Sequence, residues 1–351
     1  MISRSDKIRV LIVDDSFFMK KLLKELLLTD EMIEVVGQAK DGEEAVVKAR
    51  ELKPDVITMD YNMPGLNGVH AIQEILADPN TNEPSIIMIS AYTGEGSEEA
   101  MEALRVGAVD FIQKPSGELS LDIDKIKDEI LEKVHIASRA RVRTYTHIKR
   151  VKKKKKRPRT LAVKVVVIGS STGGPPIVED ILTSLPDNFP AAVVVAQHMP
   201  EFFTNKFAER LDRLTALWVK RAQDGDTLKA GQVIVAPADT HFSLEGSNGE
   251  RTIHLRERHE THRGPRPNID EVMGEVAENY GSEVIGIVLT GMGDDGRKGI
   301  ELIKRAGGYV IAQDPQTASI ASMPEAIIKA NLVNEILRPE DIITCIKKLV
   351  T

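Results

Sequence analysis

Polar residues that could carry phosphoryl chemistry follow apolar, strand-like segments in the first third of the chain. Two adjacent acids follow the first segment, and single polar residues follow the third, fourth and fifth: Asp14 and Asp15, then Asp60, Ser90 and Lys114. Three carboxylates packed together repel one another and favour a hard cation with oxygen ligands, for which Mg²⁺ is the natural choice. Carboxylate, Mg²⁺, hydroxyl and ammonium groups together could position a phosphoryl group and offset its charge.

A second set of chemically capable residues begins in the segment VVIGSSTGGPP (166–176), where three hydroxyl residues follow an apolar run. A phosphate-binding loop is disfavoured, because no lysine follows the second glycine and position 171 is not the glycine that a dinucleotide fingerprint needs. A serine at a sharp strand-to-helix turn can instead act as a nucleophile. The residues themselves leave open whether Ser170, Ser171 or Thr172 plays this part.

A nucleophilic serine needs a base and an acid that orients the base. His198 ends the next strand-like run, and Asp294 and Asp295 follow a later one in the segment VLTGMGDDG. Because parallel strands end at one edge of a sheet, these residues could meet there. The pattern therefore favours Ser-His-Asp chemistry, with two candidates for the acid.

The elements that must position the first set alternate between strand and helix over residues 1–135. Strand-like runs lie at 8–13, 34–37, 55–59, 85–89 and 108–112, with helical periodicity between and after them. Five such βα units predict a parallel sheet covered by helices on both faces. Function in these sheets is found at the carboxyl ends of the strands.

The second set is positioned by another α/β pattern, over residues 163–351, which predicts a Rossmann-like doubly wound parallel sheet. Strand-like runs lie at 164–168, 191–196, 232–235, 284–289 and 308–312, and the stretch 217–256 is β-rich and irregular. Residues 136–162 between the two domains have no apolar face and many like charges, which predicts a flexible, extended linker.

Composition is typical of an ordinary globular protein and excludes some other classes. The 351 residues are 42% hydrophobic and 28% charged, with a net charge of −6, as in ordinary globular proteins. Residues 133–178 hold 14 Lys and Arg and no acid, leaving 33 basic and 53 acidic residues elsewhere, a net charge of −20. The single cysteine, Cys345, excludes an internal disulfide and a cysteine metal cluster. With no apolar run of bilayer-spanning length and no signal-peptide pattern, we expect a cytoplasmic protein.

The motifs VDDS, MDYNMPGLNG, SA and DFIQKP make residues 7–135 resemble the receiver domain of two-component response regulators, which has a flavodoxin-like (βα)5 fold. The resemblance implies that Asp60 accepts a phosphoryl group from the phosphohistidine of a histidine kinase. Asp14, Asp15, Asp60 and the Asn62 backbone carbonyl would hold Mg²⁺, and Ser90 and Lys114 would contact the phosphoryl group. Phe111 occupies the usual position of the switch aromatic.

The motifs IGSSTGG, QHM, RPNID, LTGMGDDG and MPEAI make residues 163–350 resemble the catalytic domain of the CheB family of chemotaxis protein-glutamate methylesterases. The resemblance implies Ser171 as nucleophile, His198 as base and Asp295 as orienting acid, with no cofactor for the esterase. Thr172 would support the histidine, and the Met292 loop would contribute a backbone N–H to the oxyanion hole. Arg266 is a candidate for holding the substrate.

This resemblance also implies the partners and a form of regulation. Glutamyl γ-methyl esters on chemoreceptors would be hydrolysed, with deamidation of receptor glutamines as a possible second reaction. The unphosphorylated receiver would cover the esterase active site, and phosphorylation would relieve this. We expect no contact with the membrane except through the receptors.

Two other functions compete with this interpretation. A DNA-binding response regulator is suggested by the basic run KRVKKKKKRPRT, which could neutralise phosphates. The run holds no aromatic residue, however, and an acidic domain without a helix-turn-helix pattern follows it, so we expect no nucleic-acid partner. A receiver joined to a catalytically dead docking domain is disfavoured by the intact serine, histidine and aspartate set.

Overall fold

The computed structural model describes residues 7–90, 96–114, 123–142, 161–246, 251–257 and 266–350. The side chains of residues 90, 96–98 and 123–126 lie outside this description. The chain divides into two compact units, Met1–His147 and Ile148–Thr351. Each unit has its own hydrophobic core. Among the described residues, no helix is both long enough and apolar enough to cross a bilayer.

The described part of the first unit alternates five strands with five helices. The strands are β1 (Ile8–Val13), β2 (Ile33–Ala39), β3 (Val56–Asp60), β4 (Ser85–Ser90) and β5 (Asp110–Gln113). The helices are α1 (Phe17–Leu27), α2 (Gly42–Leu52), α3 (Gly68–Ala77), α4 (Gly96–Val106) and α5 (Ile123–Ala137). The order β2-β1-β3-β4-β5, parallel throughout, is flavodoxin-like, so the fold predicted for this unit is confirmed.

Local sequence explains why the first unit folds in this way. The inner strands are nearly continuous apolar runs, typical of parallel strands that are covered on both faces. Ser16, Asp41 and Asn67 cap α1, α2 and α3, since each side chain accepts a hydrogen bond from a backbone N–H in the first helical turn. These caps start the helices directly after the strand-end loops that carry the candidate residues.

The second unit contains nine strands and six helices among its described residues. The strands are β6 (Val165–Ser170), β7 (Ala192–Gln197), β8 (Trp218–Arg221), β9 (Gln232–Val235), β10 (Thr240–Glu245), β11 (Thr252–Glu257), β12 (Val284–Val288), β13 (Tyr309–Gln313) and β14 (Glu335–Leu337). The helices are α6 (Gly174–Thr183), α7 (Glu201–Leu214), α8 (Ile269–Tyr280), α9 (Arg297–Arg305), α10 (Ser322–Lys329) and α11 (Pro339–Val350).

Seven strands of the second unit form one parallel sheet in the order β14-β13-β12-β6-β7-β9-β8. Strand order reverses at β6, which lies between β7 and β12, and this reversal is the Rossmann switch point. The predicted doubly wound fold is therefore confirmed. The irregular stretch 217–256 resolves into β8, β9 and the antiparallel hairpin β10–β11. Strands β8 and β14 were not predicted, because both are short and lie at the sheet edges.

The predicted linker overlaps the end of the first unit. Helix α5 continues to Ala137, two residues past the predicted domain boundary. Ala162, the last residue of the predicted linker, donates its backbone N–H to Leu228 in the second unit. Most of the basic run lies outside the described residues, so its extended character and the limits of the linker stay predictions.

Candidate active site

The turn after β6 holds Ser171 at the switch point of the second sheet. Its backbone N–H donates to the Thr290 carbonyl at 3.0 Å, which joins the ends of β6 and β12. Gly173 caps α6 in the left-handed region, with φ of +75°. A Cβ there would lie 2.7 Å from Ser319, so the sharp turn needs glycine for both conformation and space. Two prolines in the first turn of α6 set its direction.

The ends of β7 and β12, the two strands that flank β6, supply a histidine and an acid. His198 Nε2 lies 2.8 Å from Asp295 Oδ2, and both side chains are largely buried. Because an ionised carboxylate only accepts hydrogen bonds, Nε2 carries the proton and Nδ1 of the neutral ring keeps a lone pair. Nδ1 is therefore the ring nitrogen of His198 that is left to accept a proton.

Asp295 is held as a carboxylate by the start of α8. Its oxygens accept backbone N–H groups of Ile269, Asp270 and Gly296, each at 2.9 Å. Burial opposes ionisation, but the hydrogen bond and electrostatic interaction with His198 and the N–H groups of Ile269 and Asp270 outweigh it and lower the pKa of Asp295. The N-terminal dipole of α8 favours the same negative charge.

Burial and hydrogen-bond partners distinguish Ser170 from Ser171 and Asp294 from Asp295, which the sequence left open. The Ser170 side chain is fully buried and its hydroxyl donates to Gln197 Oε1 at 2.5 Å, whereas Ser171 is half-buried. Asp294 is 70% exposed and pairs with Arg297, whereas Asp295 contacts His198. Burial and partners therefore favour Ser171 and Asp295 for chemistry.

The loop Gly291–Gly293 lies against the serine. A Cβ at Gly291 would lie 2.6 Å from Ser171 Cβ, so glycine is needed for this close approach. The Met292 side chain is 38% exposed. Ser322 holds both sides of the loop, because its hydroxyl donates to the Gly291 carbonyl at 2.9 Å and accepts from Gly293 N–H at 3.1 Å. A backbone N–H in such a loop can stabilise an oxyanion.

The other sequence candidates in this unit lie near the site. Thr172 is buried, and its carbonyl accepts the Thr290 hydroxyl at 3.0 Å. The Arg266 carbonyl accepts the N–H of Met199, the residue after the histidine, at 3.0 Å. Its partly exposed guanidinium pairs with Asp239 at 2.6 Å.

Sequence reasoning missed Gln197 and Ser322. Gln197 Nε2 donates to the Ser171 carbonyl at 2.9 Å and to the His198 carbonyl at 3.0 Å, which links the two turns. The signal for Gln197 was its position as the one polar residue in the apolar strand that precedes His198. Nothing comparable marked Ser322, whose role depends on α10 packing beside the Met292 loop.

In the first unit, the strand ends bring three acids together. One carboxylate oxygen from each of Asp14, Asp15 and Asp60 lies within 4.8 Å of the others. Asp14 and Asp60 are buried and Asp15 is exposed. Lys114 Nζ lies 2.8 Å from an oxygen of each buried acid. Four of the predicted side chains thus meet at one sheet edge.

Burial disfavours the charged forms of both Asp60 and Lys114 in this acidic site. Burial raises the pKa of Asp60 to about 6, with a further contribution from the charge of Asp14, although the Lys114 ammonium and the Asn62 N–H act in the opposite direction. Burial also disfavours the charged Lys114, but its ion pairs with both acids outweigh this and raise its pKa. A single lysine therefore only partly balances the carboxylates.

The acidic site fits a divalent cation of the Mg²⁺ type. Asp14 Oδ2 and Asp60 Oδ2 are buried, and apart from the lysine ammonium neither has a hydrogen-bond partner among the described residues. Oxygen donors with unused lone pairs and excess negative charge are what Mg²⁺ requires. Asn62 is exposed beside the acids, and the Ser90 side chain lies outside the described residues. Phe111, at the position where the resemblance predicts a switch aromatic, is buried, with Lys133 Nζ 5.1 Å from its ring centroid.

Comparison with known proteins agrees with both halves of this description. A family model described as CheB methylesterase matches residues 166–346, and one described as response regulator receiver domain matches residues 10–124. A relative from Thermotoga maritima named protein-glutamate methylesterase/protein-glutamine glutaminase is 44% identical, over 94% of this chain and 95% of its own. A relative of the same name from Methanococcus maripaludis is 42% identical, over 96% of each chain.

A solved structure supports the fold of the second unit. The crystal structure of the Thermotoga maritima CheB methylesterase catalytic domain is 42% identical in sequence, with a TM-score of 0.51. It covers 53% of this chain and 98% of its own. With a receiver domain preceding a catalytic domain of this kind, and similarity over nearly the whole length, this chain belongs to the CheB methylesterase family.

Proposed function

We propose that this protein is a phosphorylation-activated serine esterase that hydrolyses glutamate γ-methyl esters on chemotaxis receptors. The single observation that carries the proposal is the His198–Asp295 hydrogen bond beside the Ser171 turn, at the switch point of the second sheet. The names of the relatives supply the substrate class. The receiver domain supplies the regulation.

The reaction transfers the glutamyl acyl group from the methoxy oxygen of the ester to water. Ser171 Oγ attacks the ester carbonyl while its proton passes to His198 Nδ1, and the oxyanion forms beside the Met292 loop. The C–O bond to the methoxy group breaks, and His198 returns the proton so that methanol leaves. Water then attacks the acyl-enzyme with His198 again as base, which releases the glutamate carboxyl group and restores the serine.

Asp295 keeps the histidine in the productive tautomer. Its carboxylate stabilises the imidazolium that forms when Nδ1 takes the serine proton. Three backbone N–H groups keep the carboxylate ionised and fixed, so it need not move during the reaction. Buried Thr172 supports the turn beside this pair.

A second activity follows from the same chemistry. A glutamine side-chain amide places a carbonyl where the methyl ester would place its own, and ammonia would leave instead of methanol. The relatives carry the name protein-glutamine glutaminase as well. We therefore include deamidation of receptor glutamines in the proposal.

The receiver domain controls the esterase through Asp60. Its carboxylate accepts a phosphoryl group from the phosphohistidine of a histidine kinase, with Lys114 and Ser90 contacting the phosphoryl oxygens. The carboxylates of Asp14, Asp15 and Asp60 and the Asn62 carbonyl would hold Mg²⁺, which offsets the charge of the transferred group. The new charge on Asp60 shifts an equilibrium between a closed and an open form.

Methanol release tests this proposal. The substrate is the signalling region of a chemoreceptor carrying radiolabelled methyl esters, and the protein is the full chain with and without a small phosphodonor such as acetyl phosphate. Ser171→Ala should lower methanol release by about 10³-fold or more. Asp60→Asn should keep basal release and lose the stimulation by phosphodonor.

Ser170→Ala is the companion variant, because it removes the same hydroxyl one residue earlier and should lose far less activity than Ser171→Ala. An active Ser171→Ala with an inactive Ser170→Ala would place the nucleophile at Ser170. Full activity in both variants would contradict the serine esterase mechanism altogether.

A further inference from the structure

Gln197 joins the nucleophile turn to the base. Its Nε2 donates to the backbone carbonyl of Ser171 and to that of His198, at 2.9 and 3.0 Å. Its Oε1 accepts the Ser170 hydroxyl at 2.5 Å. Gln197 and Ser170 are both buried, so water does not compete for these bonds.

The orientation of this carboxamide follows from its partners. Two carbonyl oxygens can only accept hydrogen bonds, so the NH₂ end of Gln197 must face them. The Oε1 end then faces Ser170, whose hydroxyl must act as donor. Turning the amide over would place oxygen against two carbonyls and leave the NH₂ donors with a single hydroxyl partner.

We propose that Gln197 is a positioning residue of the esterase and that Ser170 orients its carboxamide. The inference rests on the proposed function. Pairing of β6 with β7 and the His198 N–H, which donates to the Ser170 carbonyl at 2.9 Å, bring the two strand ends together. The amide then holds the Ser171 turn against the end of β7 that carries His198, the two parts between which the proton moves. A misplacement of about 1 Å between reacting groups can cost about 10²-fold in rate.

The test replaces Gln197 with Met, which has a similar volume and no amide. With methylated chemoreceptor signalling region as substrate and the full chain as enzyme, Gln197→Met should lower kcat by about 10- to 100-fold. KM should stay within about two-fold, because neither side chain touches the substrate. Ser170→Ala should lower kcat less, since Gln197 keeps both of its donors.

A double-mutant cycle separates positioning from general loss of packing. If Ser170 acts only through Gln197, the pair Gln197→Met/Ser170→Ala should be no slower than Gln197→Met alone. Gln232→Met is the matched control, because Gln232 is a buried glutamine on β9 whose Oε1 accepts the Lys229 N–H. It should leave kcat within two-fold of wild type.

The kcat values of these variants decide whether Gln197 positions the reacting groups. A kcat of Gln197→Met within two-fold of wild type, with Ser171→Ala inactive, overturns the positioning role and leaves the proposed function standing. An active Ser171→Ala removes the proposed function and this inference with it. If Gln197→Met does not fold, Ser170→Ala decides, since it removes one oxygen atom: an unchanged kcat overturns the role of the pair, and a two- to ten-fold loss supports it.

Discussion

His198 Nε2 and Asp295 Oδ2 are hydrogen-bonded at 2.8 Å, so the acid holds the histidine by its outer ring nitrogen. In the serine-protease triad the acid binds Nδ1 and the serine faces Nε2. In the mechanism proposed above the two nitrogens exchange roles, because the Asp295 contact leaves Nδ1 to receive the Ser171 proton. The exchange is possible because a triad depends on the relative geometry of its members.

Removal of the Asp295 charge is predicted to impair chemistry more than binding. In Asp295→Asn an amide replaces the carboxylate, so the histidine loses both its fixed tautomer and the stabilisation of its charged form. We expect kcat for methanol release to fall by about 10³- to 10⁴-fold. Asp294→Asn, one residue earlier and 70% exposed, should stay within two-fold of wild type. Equal losses in both variants would contradict the assignment of Asp295.

Ionised Asp60 is predicted to destabilise the receiver domain when no metal is bound. The folded-state pKa of about 6 lies above the ordinary value of 3.8, so the contribution of Asp60 to stability is present below pH 3.8 and is lost as pH rises through 6. Asp60→Asn should therefore stabilise this unit by about 1–3 kcal/mol at pH 7, and the gain should shrink towards pH 4.

Hydrogen-exchange rates of the β1 and β3 amides, measured in the full chain, report this change in stability. Added Mg²⁺ should slow exchange in the wild type, because the cation offsets the repulsion among the three acids. It should slow exchange less in Asp60→Asn. A pH-independent difference between the two proteins would contradict the origin of the effect in the Asp60 charge.

Ser322 is predicted to support the oxyanion site through the backbone of the Met292 loop. Ser322→Ala removes hydrogen bonds on both sides of Met292, and we expect kcat to fall by about 3- to 30-fold with KM nearly unchanged. Met292→Ala should be milder, because the proposed donor is a backbone N–H. Ser184→Ala, an exposed serine after α6, provides the control. A larger loss in Met292→Ala than in Ser322→Ala would point to the thioether instead.

Arg266 is predicted to act on substrate binding. Its backbone carbonyl accepts the N–H of Met199 just after β7, and its partly exposed guanidinium pairs with Asp239 at 2.6 Å. Arg266→Gln should raise KM for methylated receptor by about 3- to 10-fold and change kcat little, as expected for binding shared by ground and transition states. Arg297→Gln, an exposed arginine paired with Asp294, should leave KM unchanged. A fall in kcat alone would contradict this role.

Much of the architecture could be predicted from sequence because parallel strands are nearly continuous apolar runs. The apolar runs that form β1, β6, β7 and β12 indicated two doubly wound sheets. The short strands β8 and β14 were missed, since edge strands are less buried and carry mixed residues. Helix α10 was missed as well, because it has only eight residues and a proline in its first turn.

The candidate sites could also be predicted only in part. Residue types at strand ends sufficed to predict the acidic cluster and the serine, histidine and aspartate set, because the carboxyl ends of parallel strands share an edge. Physical reasoning from the sequence did not separate Ser170 from Ser171 or Asp294 from Asp295, which are adjacent and chemically identical. Resemblance to a family made those choices.

Apolar runs and the polar residues that follow them were enough to predict two α/β domains and the order of their strand-end residues, and the motifs were enough to predict the family to which the chain belongs. Only the folded chain shows that the Ser170 hydroxyl is buried against Gln197, that Asp295 accepts N–H groups at the start of α8 and that His198 Nε2 faces Asp295. The physical reason is that these distinctions depend on burial and on hydrogen bonds between residues 25 to 97 positions apart. Such partners are set by strand order and helix placement, which no local pattern of residues encodes.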